Sequence, residues 1–578
     1  MKKQQRPAPQ MAESPAAGKI VAALFLIAAG GLAAAGFANR DFMLQCFLRL
    51  SYYIVWLLAA LWAVIAGESV RKHGPAVRGF LKENAGGILF SFLLAAAVFV
   101  SAPPYFRMLS DETNLLSVSK SMLFNRSTAN TLEGFFQYFN FSPLHYTYEK
   151  RPFLFPFAVH LLHLLLGYHP WNAFAVNFLV LGTLFSAVFI FLKRAAGFWA
   201  ALGGVLFFAA QPVITQSASS GGFDLFFVLF LVLAFAALAL YLENPGPETL
   251  LLFWFQLLLF IHTRYEGPML AAVLVLALLA LGKIKPRQFL DAPYYAATPL
   301  LVLPVLWQRI LTQGLETPPG VKAFSVEHFL RHQKEYVQSL GDFGFFLPYA
   351  TPVNILGTCA LVYFAFLYAS RRWPASPASR TLVTAAAAVL AAEWVLTNAY
   401  FGELLADPGG GRVLTFAFLV LSVLAVLFLV RLAPFKRKPF LAAVLGLFCF
   451  GLYHPLTIEN RFLNALDLPR EYRTVLEFLQ RQDGRNILIV ASRPGLYTVH
   501  DYGAVKFEWA NEHKEDLLMK LKQRLYSDIF VIQNIDDATG QILEDGGLDG
   551  SYALETVFIT ARQPDPLGYT RISRVVNR

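Results

Sequence analysis

The residues best suited to chemistry are acids and cations that stand where apolar runs begin or end. Asp111 and Glu112 lie side by side in SDETNL, a few residues beyond such a run. Adjacent carboxylates at a membrane mouth can act as a base, a metal ligand or a helix cap. A carboxylate partly withdrawn from water has a raised pKa and can accept a proton from a hydroxyl. The structural alternative is an N-cap, with Ser110 or Asp111 opening a polar first turn. Asp224 ends QSASSGGFD and opens another apolar run. Capping explains an acid there, yet a lone carboxylate at a span boundary is a functional candidate. Arg264 and Glu266, in HTRYEGP, can close a tight turn as an ion pair. Arg412 follows Asp407-Pro408 and a run of glycines, and Lys150-Arg151 precede a short apolar segment. Headgroup snorkelling explains any one of these cations. Their recurrence at acidic mouths suits a phosphate, which Arg grips in bidentate fashion and Lys holds as a point charge.

Other polar groups carry less. Glu393 lies well inside an apolar run, which is costly in lipid, so it is expected to face a bundle interior and pair with an Arg or a hydroxyl. His145, His160, His163 and His169 fall in one stretch, but no Cys or Asp set completes a tetrahedral zinc site. They read as interface histidines. Cys46, Cys359 and Cys449 are far apart in apolar segments, with neither a disulfide framework nor metal spacing.

Positioning these groups falls to membrane helices. Of 578 residues, 56% are hydrophobic and 15% are charged, where a soluble chain carries near a quarter charged. The net charge of +10 is spread through short loops rather than gathered in one basic domain, so it is an orientation signal and not a nucleic-acid footprint. Apolar runs near the ~20 residues that cross a bilayer occur at 19–38, 46–66, 86–103, 171–192, 197–211, 223–242, 249–263, 267–282, 292–310, 352–370, 380–398, 412–431 and 439–455. The first run is read as a span, not a cleaved signal, because no small-residue cleavage site follows it. Lys2, Lys3 and Arg6 precede it; Arg71 and Lys72, Lys193 and Arg194, Lys283 and Lys285, Arg371 and Arg372, and Lys436 to Lys438 mark alternate loops. With Phe153–Gly167 lying in the interface rather than crossing, all of these fall on one side, the cytoplasm.

That count puts a tail at 1–18 in the cytoplasm, a membrane module at 19–455 with an outer loop at 104–170, and an extracytoplasmic region at 456–578. A second outer segment runs from about 312 to 350. The C-terminal region alternates helix (469–482), strand (486–491), helix (513–525) and strand (528–533), with further strands near 552–560 and 569–576. It reads as a small α/β layer.

The order of these landmarks resembles the GT-C membrane glycosyltransferases, in particular the branch holding protein O-mannosyltransferases and lipid A aminoarabinose transferases. The resemblance rests on SDETNL after an early span, on KRPFLFPFAVHLLHLLLGYHPW, on QSASSGGFDLFF, on TRYEG and on GGGRVLTF, across roughly 86–455. Where the family has a Pro-Pro, this chain has Arg151-Pro152-Phe153, and two spans precede the acidic loop. The resemblance implies a GT-C-like polytopic α-helical membrane protein of about thirteen transmembrane helices in a bacterial inner membrane. It further implies a polyprenyl-phosphate-linked sugar donor and a hydroxyl acceptor on protein, lipid or glycan. Asp111 would be the general base, and Glu112 and Asp224 would orient it or bind sugar or acceptor. Arg264, Arg412 and Lys150 would stabilise the leaving phosphate, with Arg151 and Glu266 beside them. A phosphate monoester leaving group lets cations replace the divalent metal that diphosphate donors need, so metal use stays open.

Three other readings compete, one of them a non-catalytic membrane scaffold displaying the C-terminal region, which leaves the first outer segment unexplained. A transporter or flippase carries charges at mid-membrane and repeated halves; most charges here lie at the mouths, and Glu393 alone favours transport. A polysaccharide polymerase or ligase uses diphosphate-linked donors and large outer loops. The order of acids and cations favours the monophosphate donor.

Overall fold

The computed structural model describes residues 15–107, 109–137, 140–288, 296–313, 322–340, 351–372, 376–400, 410–432, 467–482, 486–536, 538–543, 547–550, 552–560 and 568–576. Most of the expected N-terminal tail, the run at 439–455 with Cys449, the cations 436–438 and parts of 312–350 lie outside the described residues.

The chain opens with α1 (Pro15–Ala38), α2 (Arg40–Lys72) and α3 (Gly74–Ser101). An extended link leads to α4 (Leu109–Asn125), a hairpin of β1 (Ala129–Gln137) and β2 (Asn140–Tyr148), and α5 (Leu154–Leu166). Then follow α6 (Trp171–Ala196), α7 (Phe198–Ala209), α8 (Pro212–Ala218), α9 (Asp224–Glu243), α10 (Pro247–Ile261), α11 (Gly267–Ala280), α12 (Thr298–Leu311), α13 (Val326–Ser339), α14 (Thr351–Ala369), α15 (Pro377–Ala399), a 3₁₀ turn (Gly410–Leu414) and α16 (Thr415–Leu432). The C-terminal region holds α17 (Asp467–Leu479), β3 (Ile487–Val490), α18 (Gly495–Thr498), β4 (Gly503–Val505), α19 (Phe507–Glu512), α20 (Lys514–Lys522), β5 (Asp528–Ile535), β6 (Leu554–Ile559) and β7 (Tyr569–Val575).

The chain is a polytopic α-helical membrane protein. Apolar runs become helices because hydrocarbon offers the backbone no other partners. Among the described residues, eight helices are long and apolar enough to cross a membrane: α1, α2, α3, α6, α9, α14, α15 and the 411–431 stretch that includes most of α16. Four other expected spans are apolar helices of 12 to 15 residues, α7, α10, α11 and α12, shorter than the ~20 residues that span unaided. The segment expected at the interface is α5, ended by Gly167 at φ +81°. Its Leu164, Leu165 and Leu166 are exposed while His160 and His163 are buried. Helices α14 and α16 meet so closely that a Cβ on Gly357 would lie 2.6 Å from the Leu421 carbonyl oxygen.

The sheet has seven strands in the order β2-β1-β4-β3-β5-β7-β6. Strands β4, β3 and β5 run parallel, and the others pair antiparallel. Side chains alternate between its faces. Leu488 and Val490 pack with Phe507, Ala510 and Leu517, while Ile487 and Ile489 join the main core with Val475 and Leu479 of α17. The hairpin β1–β2, from the segment before α5, extends the C-terminal sheet through Gly134 opposite Ala504. Only glycine fits there, since a Cβ would lie 2.4 Å from the Phe141 ring. The sheet therefore reaches the helix that carries Asp111.

Candidate active site

Asp111 and Glu112 occupy the first turn of α4, where an acid suits the helix dipole. The link before it is fastened to α8 and to the loop between α8 and α9. Tyr105 N donates to Ser219 O at 3.2 Å, and Arg107 Nη1 donates to Gln216 O at 2.9 Å. Glu112 Oε2 accepts from Gly221 N at 2.8 Å and from Arg107 N at 3.2 Å. Small residues make this approach possible: a Cβ on Gly221 would lie 2.7 Å from the Phe106 ring. Asn177 Nδ2 holds the same loop through the carbonyls of Ser220 and Gly222. Asp224 then opens α9.

The opposite wall is the segment 149–152. Gln308 Nε2 of α12 donates to the carbonyl oxygens of Glu149 and Arg151, at 2.9 and 2.7 Å. Leu154 N donates to His262 O, beside the turn that carries Arg264 and Glu266. Arg412 sits in the 3₁₀ turn.

These elements bring seven side chains into one ladder of alternating charge. Arg151 Nη1 pairs with Glu149 Oε1 at 2.6 Å, and Arg151 Nη2 bonds Asp111 Oδ1. Arg412 Nη2 bonds Asp111 Oδ2, and its Nη1 lies 3.7 Å from Asp224 Oδ2. Arg264 Nη1 lies 3.5 Å from Asp224 Oδ1, and its Nε lies 3.3 Å from Glu266 Oε2. Sequence reading thus named six of the seven, and the fold brings all six together. The seventh, Glu149, stands beside Lys150 and Arg151 in the sequence. An acid directly before a Lys-Arg pair was the available signal. Lys150 itself is exposed, outside the ladder, and acts on Asp111 through its field.

Exposure divides the acids. The Asp111 and Glu266 side chains are each 22% exposed, while Asp224 and Glu149 are at 4% and 2%. Of the two exposed acids, Asp111 is the one held between two arginines, and Glu266 ends the ladder. Burial pushes its carboxyl up, but Arg151 and Arg412 outweigh burial and hold it below the ordinary carboxylate value. Burial opposes the charge on Arg151 as well; Glu149 and Asp111 more than restore it, and it stays a cation.

The remaining candidates do not converge. Glu393 is buried in α15, and neither carboxylate oxygen has a hydrogen-bond partner among the described residues; Arg264 reaches it only through its field. The histidines have separate partners: His145 faces Glu133, His160 faces Tyr52, His163 contacts Ser119 and Asn172, and His169 accepts from Trp171 N. No three His, Cys, Asp or Glu side chains form a metal cluster among the described residues.

No family model matches the chain, and no curated protein does. Solved structures do. The structure of ArnT from Cupriavidus metallidurans bound to undecaprenyl phosphate aligns with a TM-score of 0.51 at 14% identity, over 84% of this chain and 98% of that one. The same protein in the apo state gives 0.50 at 14% identity, over 85% and 98%. The Archaeoglobus fulgidus oligosaccharyltransferase tethered to an acceptor peptide gives 0.42 at 9% identity, over 79% and 70%. The likeness to ArnT shows the fold alone: a GT-C-like arrangement of membrane helices with a C-terminal sheet region.

Proposed function

We propose that the chain is a glycosyltransferase that moves a sugar from a polyprenyl-phosphate donor to an acceptor hydroxyl on the extracytoplasmic face. The observation that carries this reading is the Asp111 carboxylate held at both oxygens by Arg151 and Arg412. Two guanidinium forks converging on one carboxylate present a geometry that also fits a phosphate. The structural neighbour ArnT was solved with undecaprenyl phosphate bound. With the basic loops read as cytoplasmic, the ladder falls on the outer side.

In this reading the donor phosphate takes the arginines and frees Asp111. The acceptor O–H gives its proton to the Asp111 carboxylate, which must come within hydrogen-bond reach of that oxygen. The oxygen forms a bond to the anomeric carbon from the face opposite the phosphate. The carbon–oxygen bond to phosphate breaks, the configuration inverts and polyprenyl phosphate leaves. Arg151, Arg412 and Arg264, with Lys150 at the rim, stabilise the charge that develops on it. Asp224 and Glu266 fix the arginines. Glu112 fixes the link and α4 through two backbone amides.

The test is sugar transfer by membranes carrying Asp111→Asn at matched expression. Transfer at the parental rate sinks the assignment of the base. Transport is the second reading, and buried Glu393 with its unpartnered oxygens favours it. Substrate-dependent flux without a glycosylated product, abolished by Glu393→Gln, would establish transport instead.

A further inference from the structure

A concavity lined in part by the link that precedes α4 has a volume of about 480 Å³. That size suits a small-molecule site. Its walls come from three distant parts of the chain: Tyr105 and Phe106 of the link, Trp171 and Phe174 of α6, and Tyr472 and Tyr502 of the C-terminal region. His500 and Asp501 also line it. The His500 ring stands between Phe106 and Tyr472, with centroids 5.9 and 6.1 Å away. Burial, aided by Lys120 and His169, pushes its pKa down to about 3, so the imidazole is neutral. Asp501 adopts φ +63°, a costly conformation for a residue with a side chain, and one that clusters at ligand sites.

The charges nearby are already matched. Asp501 Oδ1 pairs with Lys120 Nζ at 2.7 Å, and Lys120 also donates to Thr498 O at 2.7 Å. At the mouth, Arg473 Nε pairs with Glu477 Oε1 at 3.2 Å. Lys120 does not line the cavity, and the Arg473 that does is outnumbered there by Glu477 and Asp501, so an anion would meet more negative charge than positive. A hydrocarbon would strip water from the Asp501 carboxylate and leave the buried His500 Nε2 without a hydrogen bond. A pyranose meets neither cost. Its hydroxyls bond neutral or paired polar groups, and its positively polarised C–H groups sit on the negative faces of aromatic rings. We infer that this cavity binds a neutral saccharide. The assignment stands on the cavity's own chemistry and does not depend on the transfer reaction.

The experiment uses the full-length protein in nanodiscs, fluorescently labelled and passed over an array of neutral hexose and N-acetylhexosamine oligosaccharides. The best binder is then titrated by saturation-transfer difference NMR. At least one neutral saccharide should bind. Trp171→Ala and His500→Leu should each weaken it at least tenfold, and Asp111→Asn should leave it within twofold. Trp171→Phe, which keeps an aromatic face, should lose less than Trp171→Ala; this pair carries the test if His500→Leu does not fold. Silence across the array overturns the inference. So does saccharide binding that the variants leave unchanged, or binding of inorganic phosphate or phosphatidylglycerol vesicles that they abolish.

Discussion

Asp111 and Arg412 stand 301 positions apart in the sequence, and the fold bonds Arg412 Nη2 to Asp111 Oδ2. Arg151, 40 positions away, takes the other oxygen. If the carboxylate withdraws, two cations face one gap. A carboxylate in that place both keeps the site from collapsing on itself and competes with any phosphate that enters. Binding and base release are then coupled, because the donor that takes the arginines also frees the base.

This coupling separates two effects of Asp111→Asn. A neutral amide competes less for the arginines, so polyprenyl phosphate should bind equally well or more tightly. Transfer should fall by about 10²–10⁴-fold, the usual contribution of a general base. Donor-lipid affinity and turnover measured on the same preparation check both parts. Weaker donor binding together with slower turnover would mean that Asp111 holds the donor instead.

Acidity gives a second check. The Asp111 carboxyl lies below its ordinary 3.8 because, although burial raises it, Arg151 and Arg412 lower it further. A depressed carboxylate contributes stability above the unfolded pKa, about 3.9, and that contribution is lost as pH falls through the lower folded value. The unfolding midpoint should therefore hold steady from neutral pH down to about pH 5 and drop only below about pH 4. Asp111→Asn should flatten part of that drop. The acid limb of kcat/KM reports the free enzyme and that of kcat the bound one. Once phosphate occupies the arginines the carboxyl should rise, so the kcat limb should lie at higher pH. Coincident limbs would rule out displacement.

How much of this was legible in the sequence differs between helices and contacts. The long helices follow from apolar length, and the strands NILIVA and DIFVIQ follow from short unbroken apolar runs, since a buried parallel strand is apolar throughout. Six ladder residues were visible as charges at span ends. Their pairing was not, because bonds spanning 301 and 40 positions leave no local spacing. The hairpin 129–148 also escaped. Its pairing to β4 sets Gly134 opposite Ala504, 370 positions away, a contact that no window of sequence contains. Lys120 and Asp501 have no charged motif around them; their partnership exists only because the sheet meets α4.

Glu149 and Arg151 form the most buried rung, with side chains 2% and 7% exposed. Removing one partner of such a pair leaves a bare charge, at about 3–5 kcal/mol. Arg151→Met should thus lower the unfolding midpoint sharply, and Glu149→Gln should do so somewhat less because Arg151 keeps Asp111. The double variant should recover most of the stability but not the transfer activity. Activity returning along with stability would remove Arg151 from the phosphate site.

Lys120 and Asp501 should respond unequally to the loss of either partner. The Lys120 side chain is 6% exposed and that of Asp501 is 32% exposed. Burial lowers the Lys120 pKa from 10.5, and Asp501 opposes that fall. Asp501→Asn leaves the ammonium buried with the Thr498 carbonyl and the Phe141 and Tyr168 rings, and should cost about 3 kcal/mol. Lys120→Met leaves a carboxylate that still meets water, and the thioether fills much of the vacated volume, so the cost should be about 0–1 kcal/mol. The loss in Asp501→Asn should shrink as pH rises toward 10, where the lysine can shed its proton. The methionine variant should show no such recovery. Thermal unfolding of both variants between pH 7 and 10 makes the comparison, and equal losses at every pH would show that the pair contributes packing rather than charge to the seam between the sheet and α4.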